Sequence, residues 1–242
     1  MNAKEIEKAL DLNIEGKTRE GHSRTTFFGS YEDKEVVIKH SENIKVPREY
    51  QALKMMDNVG IPTPKILDFE EKNGDNILVT EKIESNFPER EMWKDYEFCV
   101  DFVESGAEIL NKIHSVEVKK NSKADREIFR KENRIEEDLS SKMNKIREMY
   151  EGEIPEIIET ITEKLHSTQG FAHGDFTTEN ILIKDDSIVG IIDWADSGIR
   201  SRTRDVALFE SSYIDEYIRL FLLEKVEELR EKFRSKVEFD TE

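Results

Sequence analysis

The spacing of apolar residues changes near residue 83, from a strand period to a helix period. Before this point, short apolar runs are separated by turn residues such as Asn73, Gly74 and Asp75, a pattern typical of antiparallel strands. One helix interrupts the strands. We predict that it starts near Pro47, because proline fits the first turn of a helix, and that it ends before Gly60. The predicted strands cover residues 25–29, 35–39, 65–69 and 76–80.

From Trp93 onward, apolar residues mostly recur every three or four positions, which predicts amphipathic helices. Two short strands, at 180–183 and 189–193, interrupt this pattern and are joined by a polar sequence typical of a hairpin turn. The first helical stripe consists of Cys99, Val103, Ala107, Leu110 and His114. Later stripes cover residues 139–150, 154–165 and 214–229.

These two periods predict an α+β fold with two lobes. Residues 1–82 form a small, mostly β lobe and residues 83–242 form a larger, mostly α lobe, with the polar hairpin where the two lobes meet. A chain of 242 residues is long enough to bury a sizeable core without disulfide bonds, and a single cysteine, Cys99, excludes a disulfide framework.

The charge balance narrows the classes of partner. The chain has 37 Lys and Arg against 54 Asp and Glu, a net charge of −17 that repels polyanions, so we expect no nucleic-acid partner. No apolar run approaches the length of a membrane span, and the first residues are too acidic for a signal peptide. We therefore expect no membrane association and a cytoplasmic location, while the oligomeric state stays open.

The segment HGDFTTENILI, followed by IIDW, contains the residues most suited to catalysis. Asp175 and Asn180 lie five positions apart on a predicted turn, and Asp193 ends the next hairpin strand, so three oxygen-bearing side chains are expected around one point. Mg²⁺ prefers oxygen ligands, which Asn180 and Asp193 could supply, and Asp175 is then left for a substrate hydroxyl.

Phosphoryl transfer requires these groups and, in addition, a cation that contacts the polyphosphate. Lys39 ends the predicted strand 35–39 and is suited to this role, and Glu49, ten positions later, could hold Lys39 by an ion pair. By position alone, Lys39 is a strand-end lysine in an acidic chain, which should cost little stability to remove.

HGDFTTEN with IIDW resembles the catalytic and metal-binding segments of the aminoglycoside phosphotransferase and choline kinase family, whose fold is related to that of the protein kinases. The resemblance extends over most of the chain. It implies ATP or GTP and Mg²⁺ as cofactors, with Asp175 as the catalytic base and Asn180 and Asp193 as metal ligands. It also implies that Lys39, held by Glu49, grips the α- and β-phosphates.

The same resemblance implies further roles around these residues. Residues 1–82 become the nucleotide-binding lobe and 83–242 the lobe with the catalytic loop and the acceptor site. Residues 20–25 match the nucleotide loop but contain one glycine where two or three are usual, so fewer backbone N–H groups can approach the phosphates. The implied nucleotide contacts are Gly21, Ser23, Glu81 and Ile83. The implied braces of the catalytic loop are His173 and Asp205.

The stretch 86–165 lies where this family builds its acceptor pocket, which favours a small hydroxyl compound: an aminoglycoside-like compound, an amino alcohol, an amino acid or a sugar. Trp93 and Trp194 are expected in the core or between the lobes, and Trp194 is also a candidate for the acceptor pocket. The run 200–204, rich in arginine, suits either an anionic substrate or a salt-bridged loop. Candidate contacts to a cationic acceptor are Glu84, Glu89, Glu91, Asp95 and Asp196.

Two alternatives stay open. HGDFTTEN also resembles a segment of the small kinase of the tRNA-modification complex, but that kinase has a shorter helical stretch, a glycine where Trp194 stands, and a basic tail. A non-catalytic nucleotide-binding scaffold on a kinase fold is supported by the glycine-poor loop. His114 and His166 are expected to be helix-end residues rather than ligands.

Overall fold

A five-stranded antiparallel sheet forms the amino-terminal part of the molecule. The computed structural model describes residues 1–17, 24–89, 92–118, 169–219 and 225–238, with side chains from 214 to 219 excepted. The strand order in the sheet is β1-β2-β3-β5-β4. The strands are β1 (Asn13–Lys17), β2 (Thr25–Tyr31), β3 (Lys34–Ser41), β4 (Ile66–Lys72) and β5 (Asp75–Glu81).

The first helix and first strand were not predicted from the apolar pattern. Helix α1 (Ala3–Leu10) begins with a capping box, in which the Asn2 side chain accepts from the backbone N–H of Glu5 and the Glu5 side chain accepts from that of Asn2. It contributes Ile6 to a small core under the sheet, together with Phe27 and Ile38. This Asn-x-x-Glu signature was present in the sequence and was missed because the helix has a single buried apolar residue.

Helix α2 (Lys45–Asn58) connects the sheet to the rest of the molecule. It packs against β5 on one side and against the short helical turn Trp194–Asp196 on the other. Its buried residues include two charged ones, Arg48 and Glu49, among apolar residues such as Leu53. Charged side chains are rarely buried without partners, so this helix marks a place where ion pairs organise the interior.

Helix α3 (Tyr96–His114) is the centre of the helical part, and the first predicted stripe is confirmed, because all five of its residues are buried. It packs against α5 (Val226–Lys236) and α4 (Arg202–Arg219). The pattern predicted over 214–229 therefore belongs to two helices, and the stripes at 139–150 and 154–165 lie outside the described residues. The aromatic core between the helices consists of Trp93, Phe98, Phe102, Phe209, Tyr213 and Phe233.

Two short antiparallel pairs are inserted among the helices. The predicted hairpin is β7 (Ile181–Lys184) with β8 (Ser187–Ile191); its turn residues Asp185 and Asp186 both have positive φ, as a tight hairpin turn requires. A second pair, β6 (Gln169–Ala172) with β9 (Gly198–Ser201), was not predicted. The α+β prediction is confirmed. Among the described helices, none combines the length and apolar character that crossing a membrane needs.

Candidate active site

The loop that follows β6 contains the HGD sequence, and its shape depends on Gly174. This glycine has φ +86°, which side-chain-bearing residues rarely adopt, and a Cβ atom there would lie 2.2 Å from the carbonyl oxygen of Asp196. Glycine therefore lets the loop pack directly against the turn Trp194–Asp196. This contact brings the loop of Asp175 next to the segment that contains Asp193.

The Asp205 side chain accepts hydrogen bonds from the backbone of this loop. The Asp205 carboxylate is fully buried in the first turn of α4. One oxygen accepts from the backbone N–H of His173 at 2.7 Å, and the other accepts from that of Gly174 at 2.8 Å. Two charge-assisted hydrogen bonds to consecutive amides fix the loop's orientation.

His114 is the last residue of α3, as predicted, and it also contacts the Asp205 carboxylate. Its ring nitrogen Nε2 lies 3.3 Å from Asp205 Oδ2, and its side chain is buried. Burial by itself would raise the pKa of the Asp205 carboxyl, but the contact with His114 and the backbone donors hold that pKa below its ordinary value. The His173 ring packs against Trp194, and its Nε2 lies 3.0 Å from the carbonyl oxygen of Ile192.

The catalytic candidates Asp175 and Asn180 are in direct contact. The Asn180 amide group donates to the Asp175 backbone carbonyl at 2.8 Å and to the Asp175 carboxylate oxygen Oδ2 at 3.1 Å. The amide nitrogen of Asn180 is thereby engaged, so its carbonyl oxygen Oδ1 is the atom suited to a metal ion. Asn180 closes the short helical turn Thr178–Asn180, which sets this spacing.

Asp193 is brought to the same place by the hairpin. The backbone N–H of Ile192 donates to the Asn180 carbonyl at 3.0 Å, which joins the two candidate metal ligands through main chain. Asp193 has φ 66° and ψ 58°, a left-handed conformation that aspartate tolerates better than most residues. The conformation turns the chain sharply out of β8 into the helical turn that follows.

Lys39 and Glu49 form the ion pair that the sequence suggested. Lys39 Nζ donates to Glu49 Oε1, from β3 to α2, and the Glu49 side chain is only 3% exposed. This burial corrects the expectation that Lys39 costs little to remove, because its loss would strand a buried carboxylate. The reason lies in tertiary packing: α2 turns Glu49 inward toward the sheet.

Arg24 is a further charged residue of the site, to which the sequence reasoning gave no role. It immediately precedes β2, and its Nη2 donates to Asp193 Oδ2. Its Nη1 lies 3.6 Å from Glu49 Oε2. Burial alone would raise the pKa of Asp193, but the hydrogen bond and charge of Arg24 hold that pKa below its ordinary value. Its place at the end of the predicted loop 20–25 was the available signal.

A cavity of about 300 Å³ is lined by Arg24, Lys39, Glu49 and Asp193. The two candidate contacts to a nucleotide base, Glu81 and Ile83, also line this cavity. Gly21 and Ser23 lie outside the described residues. The charged residues that line the cavity are Arg24, Lys39, Glu49, Glu81, Lys82 and Asp193.

The chemistry of this donor set fits Mg²⁺ bound together with a polyphosphate. Within the described ranges, no three His, Cys, Asp or Glu side chains converge as a metal cage. Mg²⁺ does not need one, because it is commonly held by one or two carboxylates and by substrate phosphates. The carboxylate of Asp193 with the amide oxygen of Asn180 meets that description, and Arg24 on Asp193 shows that a positive charge is accommodated there.

A second cavity of about 290 Å³ lies beside the catalytic loop. Phe87 lines both cavities, which therefore adjoin. The other residues of the second cavity are Pro88, Trp93, Thr178 and Glu179. Glu179, which directly precedes Asn180, was not among the candidate acceptor contacts.

Most of the acidic residues considered for a cationic acceptor have other partners. Glu84 pairs with Lys184 at 2.8 Å, and Asp95 caps α3 by accepting from the backbone N–H of Glu97 at 2.9 Å. Asp196 pairs with Lys45. Glu89 is exposed, whereas Glu91 lies outside the described residues.

Trp194 and the arginine-rich run also have interior roles. Trp194 is completely buried, and its indole N–H donates to the Ile191 carbonyl at 2.9 Å, so it supports the loop instead of lining the acceptor pocket. Arg204 donates to the Gly174 carbonyl, and Arg200 lies 3.9 Å from Asp196. These contacts favour the salt-bridged loop over an anionic-substrate site.

Known phosphotransferases are similar to this chain. A family model described as "Phosphotransferase enzyme family" matches residues 17–229. An aminoglycoside 3'-phosphotransferase of Niallia circulans is 27% identical over 174 residues, which cover 70% of this chain and 65% of that protein. The chain thus spans just under two thirds of that relative's length.

Solved structures share the fold over nearly the whole chain. The ADP-bound aminoglycoside phosphotransferase APH(2'')-Ib has a TM-score of 0.60 at 16% identity, covering 98% of this chain and 86% of that one. The streptomycin and ATP complex of APH(2'')-IIa has a TM-score of 0.62 at 16% identity, covering 97% and 86%. At this identity the similarity is one of fold.

Proposed function

The chain belongs to the phosphotransferase enzyme family, as the HGDFTTEN and IIDW segments predicted, and from this premise we propose that it transfers the γ-phosphoryl group of a nucleoside triphosphate to a hydroxyl group of a small acceptor. The donor is ATP or GTP, with Mg²⁺. The acceptor is an aminoglycoside-like compound, an amino alcohol, an amino acid or a sugar.

The observation that carries the proposal is the convergence of five side chains from four separate segments. Lys39, Glu49 and Asp193 line one cavity, and Lys39 pairs with Glu49. Asn180 is tied to the segment of Asp193 by main chain and to Asp175 by its side chain. A purely structural ion-pair network does not require a carboxylate suited to orient a hydroxyl, an amide and a carboxylate suited to a metal ion in one place.

Asp175 is proposed as the catalytic base. Its carboxylate is held by the Asn180 amide at 3.1 Å, which fixes the direction in which it can accept a proton from the acceptor hydroxyl. Asp205 supports the loop through the amides of His173 and Gly174. His114 supports Asp205 in turn.

The nucleotide is proposed to lie in the cavity of about 300 Å³. Lys39, aligned by Glu49, would neutralise the α- and β-phosphates, and the backbone near Glu81 and Ile83 would contact the base. Asn180 and Asp193 would hold Mg²⁺, which supplies charge neutralisation of the β- and γ-phosphates when bound. The adjoining cavity lined by Phe87, Trp93 and Glu179 is the proposed entry of the acceptor.

The experiment is a phosphoryl-transfer screen with wild type and Asp175→Asn. Each protein is incubated with Mg²⁺, ATP or GTP, and a panel of aminoglycosides, amino alcohols, amino acids and sugars, and nucleoside diphosphate release is measured. Asp175→Asn should bind nucleotide with nearly unchanged affinity, while its transfer rate falls by on the order of 10² to 10⁴, the usual value of a positioned acid or base.

Calorimetry on the same two proteins separates the alternatives. Equal nucleotide binding by both proteins, without transfer to any hydroxyl compound, would favour the non-catalytic scaffold. Transfer by wild type that Asp175→Asn retains in full would reject Asp175 as the base while keeping the enzyme. Family membership favours neither the scaffold nor the kinase of the tRNA-modification complex.

A further inference from the structure

Arg24 is a cation in the nucleotide cavity to which the proposed reaction has so far given no role. Its side chain is 18% exposed and lines the same cavity as Lys39, so it is within reach of anything bound there. It also crosses the cleft, because it precedes β2 of the sheet and pairs with Asp193 of the hairpin segment.

The charges around Arg24 alternate in sign. Lys39 pairs with Glu49 Oε1, Arg24 faces Glu49 Oε2 at 3.6 Å, and Arg24 pairs with Asp193. Among the described residues, no donor forms a hydrogen bond with the buried Oε2 of Glu49. Arg24 therefore places one positive charge close to two carboxylates, that of Asp193 and that of Glu49, which Lys39 also contacts.

This arrangement conflicts with metal binding at the same carboxylate. Arg24 donates to Oδ2 of Asp193, and this carboxylate is one of the two proposed metal ligands. A guanidinium group and a divalent cation at one carboxylate repel each other, so the two compete. The guanidinium fork matches phosphate as well as carboxylate, and a bound nucleotide brings several phosphate oxygens into this cavity.

The backbone at Arg24 permits the side chain to move. The paired register of β2 with β3 begins at Thr25 opposite His40, so Arg24 lies one residue outside the strand ladder. Transferring its guanidinium from Asp193 to a phosphate would break no sheet hydrogen bond. Asp193 would keep a positively charged partner, because the metal ion replaces Arg24 there.

We propose that Arg24 is a phosphate-positioning residue that neutralises Asp193 while the cavity lacks nucleotide and transfers its guanidinium to the polyphosphate when metal and nucleotide bind. This inference rests on the proposed function, because it requires a metal-nucleotide complex in the cavity. It assigns Arg24 two opposite effects: competition with metal alone, and support of metal bound with nucleotide.

The test measures both effects on Arg24→Gln. Binding of Mn²⁺ alone, followed by electron paramagnetic resonance, should become roughly tenfold tighter, the order expected when a competing hydrogen bond between charged groups is removed. Binding of Mn²⁺ with a non-hydrolysable ATP analogue, followed by calorimetry, should become roughly tenfold weaker, because a charge-assisted phosphate contact is lost. A merely structural Arg24 would not move the two affinities in opposite directions.

Two further variants serve as controls for this experiment. Arg24→Lys keeps the positive charge but loses the paired N–H donors of the guanidinium, so its affinity for the metal-nucleotide complex should lie between those of wild type and Arg24→Gln. If Arg24→Gln does not fold, Arg24→Lys is compared with wild type in its place. Arg230→Gln removes an arginine that pairs with Glu210 at 2.5 Å, away from the cavity, and should leave both affinities unchanged.

Parallel losses of both affinities in Arg24→Gln, or no change in either, would overturn the proposal. A wild type that binds no metal-nucleotide complex would reject the proposed function and this inference together. A wild type that binds the complex without transferring phosphate would reject the proposed function alone, and the Arg24 comparison could still be made.

Discussion

At the scale of single residues, the site depends on buried carboxylates whose partners are also the proposed contacts to the ligand. Glu49 illustrates this, because its side chain is 3% exposed and accepts from Lys39. Removing one partner of a buried charged pair leaves the other without compensation, which costs more than the pair itself contributes. We therefore expect a change at this ion pair to alter both stability and nucleotide binding.

Lys39→Ala should lower the free energy of unfolding by about 1–3 kcal/mol, because Glu49 loses its hydrogen-bond donor inside the protein. The double variant Lys39→Ala with Glu49→Gln should recover part of this loss, since a neutral amide is easier to bury. Urea denaturation measures both values, and nucleotide affinity should stay low in both variants. A single variant as stable as wild type would show that water replaces Lys39 at no cost.

Because the pKa of Asp205 is lowered, the free energy of unfolding should depend on pH. A folded-state pKa below the unfolded value of about 3.9 means that the unfolded chain binds the proton more readily. The stabilisation is thus fully present above the unfolded pKa and is lost as the pH falls through the folded one. Asp193 and Asp196, whose pKa values are also lowered, act in the same direction.

We expect the melting temperature of wild type to fall as the pH is lowered from 6 to 3, in the range where carboxylates of ordinary pKa near 4 take up protons. Asp205→Asn should be less stable than wild type at pH 6, yet show a shallower fall, because one of the responsible groups is gone. Calorimetric scans across this range provide the measurement. Parallel curves for the two proteins would assign the acid sensitivity to other carboxylates.

At the scale of elements, the catalytic loop is positioned by its contact with the turn Trp194–Asp196. That contact requires both a left-handed backbone and the absence of a Cβ atom at Gly174. Gly60 offers a matched comparison. It also has a positive φ, of +69°, but no atom lies within 4 Å of the place where its Cβ would be.

Gly60→Ala should cost about 1–2 kcal/mol from backbone strain alone and leave activity intact. Gly174→Ala should lose more stability than this, and most of its activity, because the loop must retreat from Asp196 and carry Asp175 with it. Denaturation midpoints and transfer rates of both variants are the measurements. Equal effects of the two substitutions would mean that the loop does not depend on the close contact.

At the scale of the whole molecule, we propose that residues 1–82 and 83–242 are the two lobes on either side of the nucleotide cleft. Polar contacts cross this boundary, together with a shared apolar core. Arg24 pairs with Asp193, Lys45 pairs with Asp196, and Arg48 donates to the Ala195 carbonyl at 3.4 Å. A ligand that contacts both lobes should therefore stabilise backbone on both sides.

Mg²⁺ with a non-hydrolysable ATP analogue should slow amide hydrogen exchange both in residues 82–86, which follow β5, and in residues 174–180 of the catalytic loop. Helix α5, away from the cavity, serves as the internal control and should be unaffected. Mass spectrometry of peptic peptides resolves these segments. Protection confined to one of the two segments would place the nucleotide in a single lobe and contradict the proposed cleft.

The sequence by itself determined the fold class, the family and the five side chains proposed to act. These depend on local information: strand and helix periods, and short motifs such as HGDFTTEN and IIDW in which the spacing places Asp175, Asn180 and Asp193 together. The Lys39 and Glu49 pair was also accessible, because both belong to elements with clear patterns.

Tertiary structure alone decided which charged residues meet across the molecule. Arg24 and Asp193 are 169 positions apart, and His114 and Asp205 are 91 apart, so no local period relates them. The same reason explains why Trp194 is buried and why Asp196, once a candidate acceptor contact, is engaged by Lys45. Whether a charged side chain is available to a ligand depends on neighbours that folding brings from distant parts of the chain.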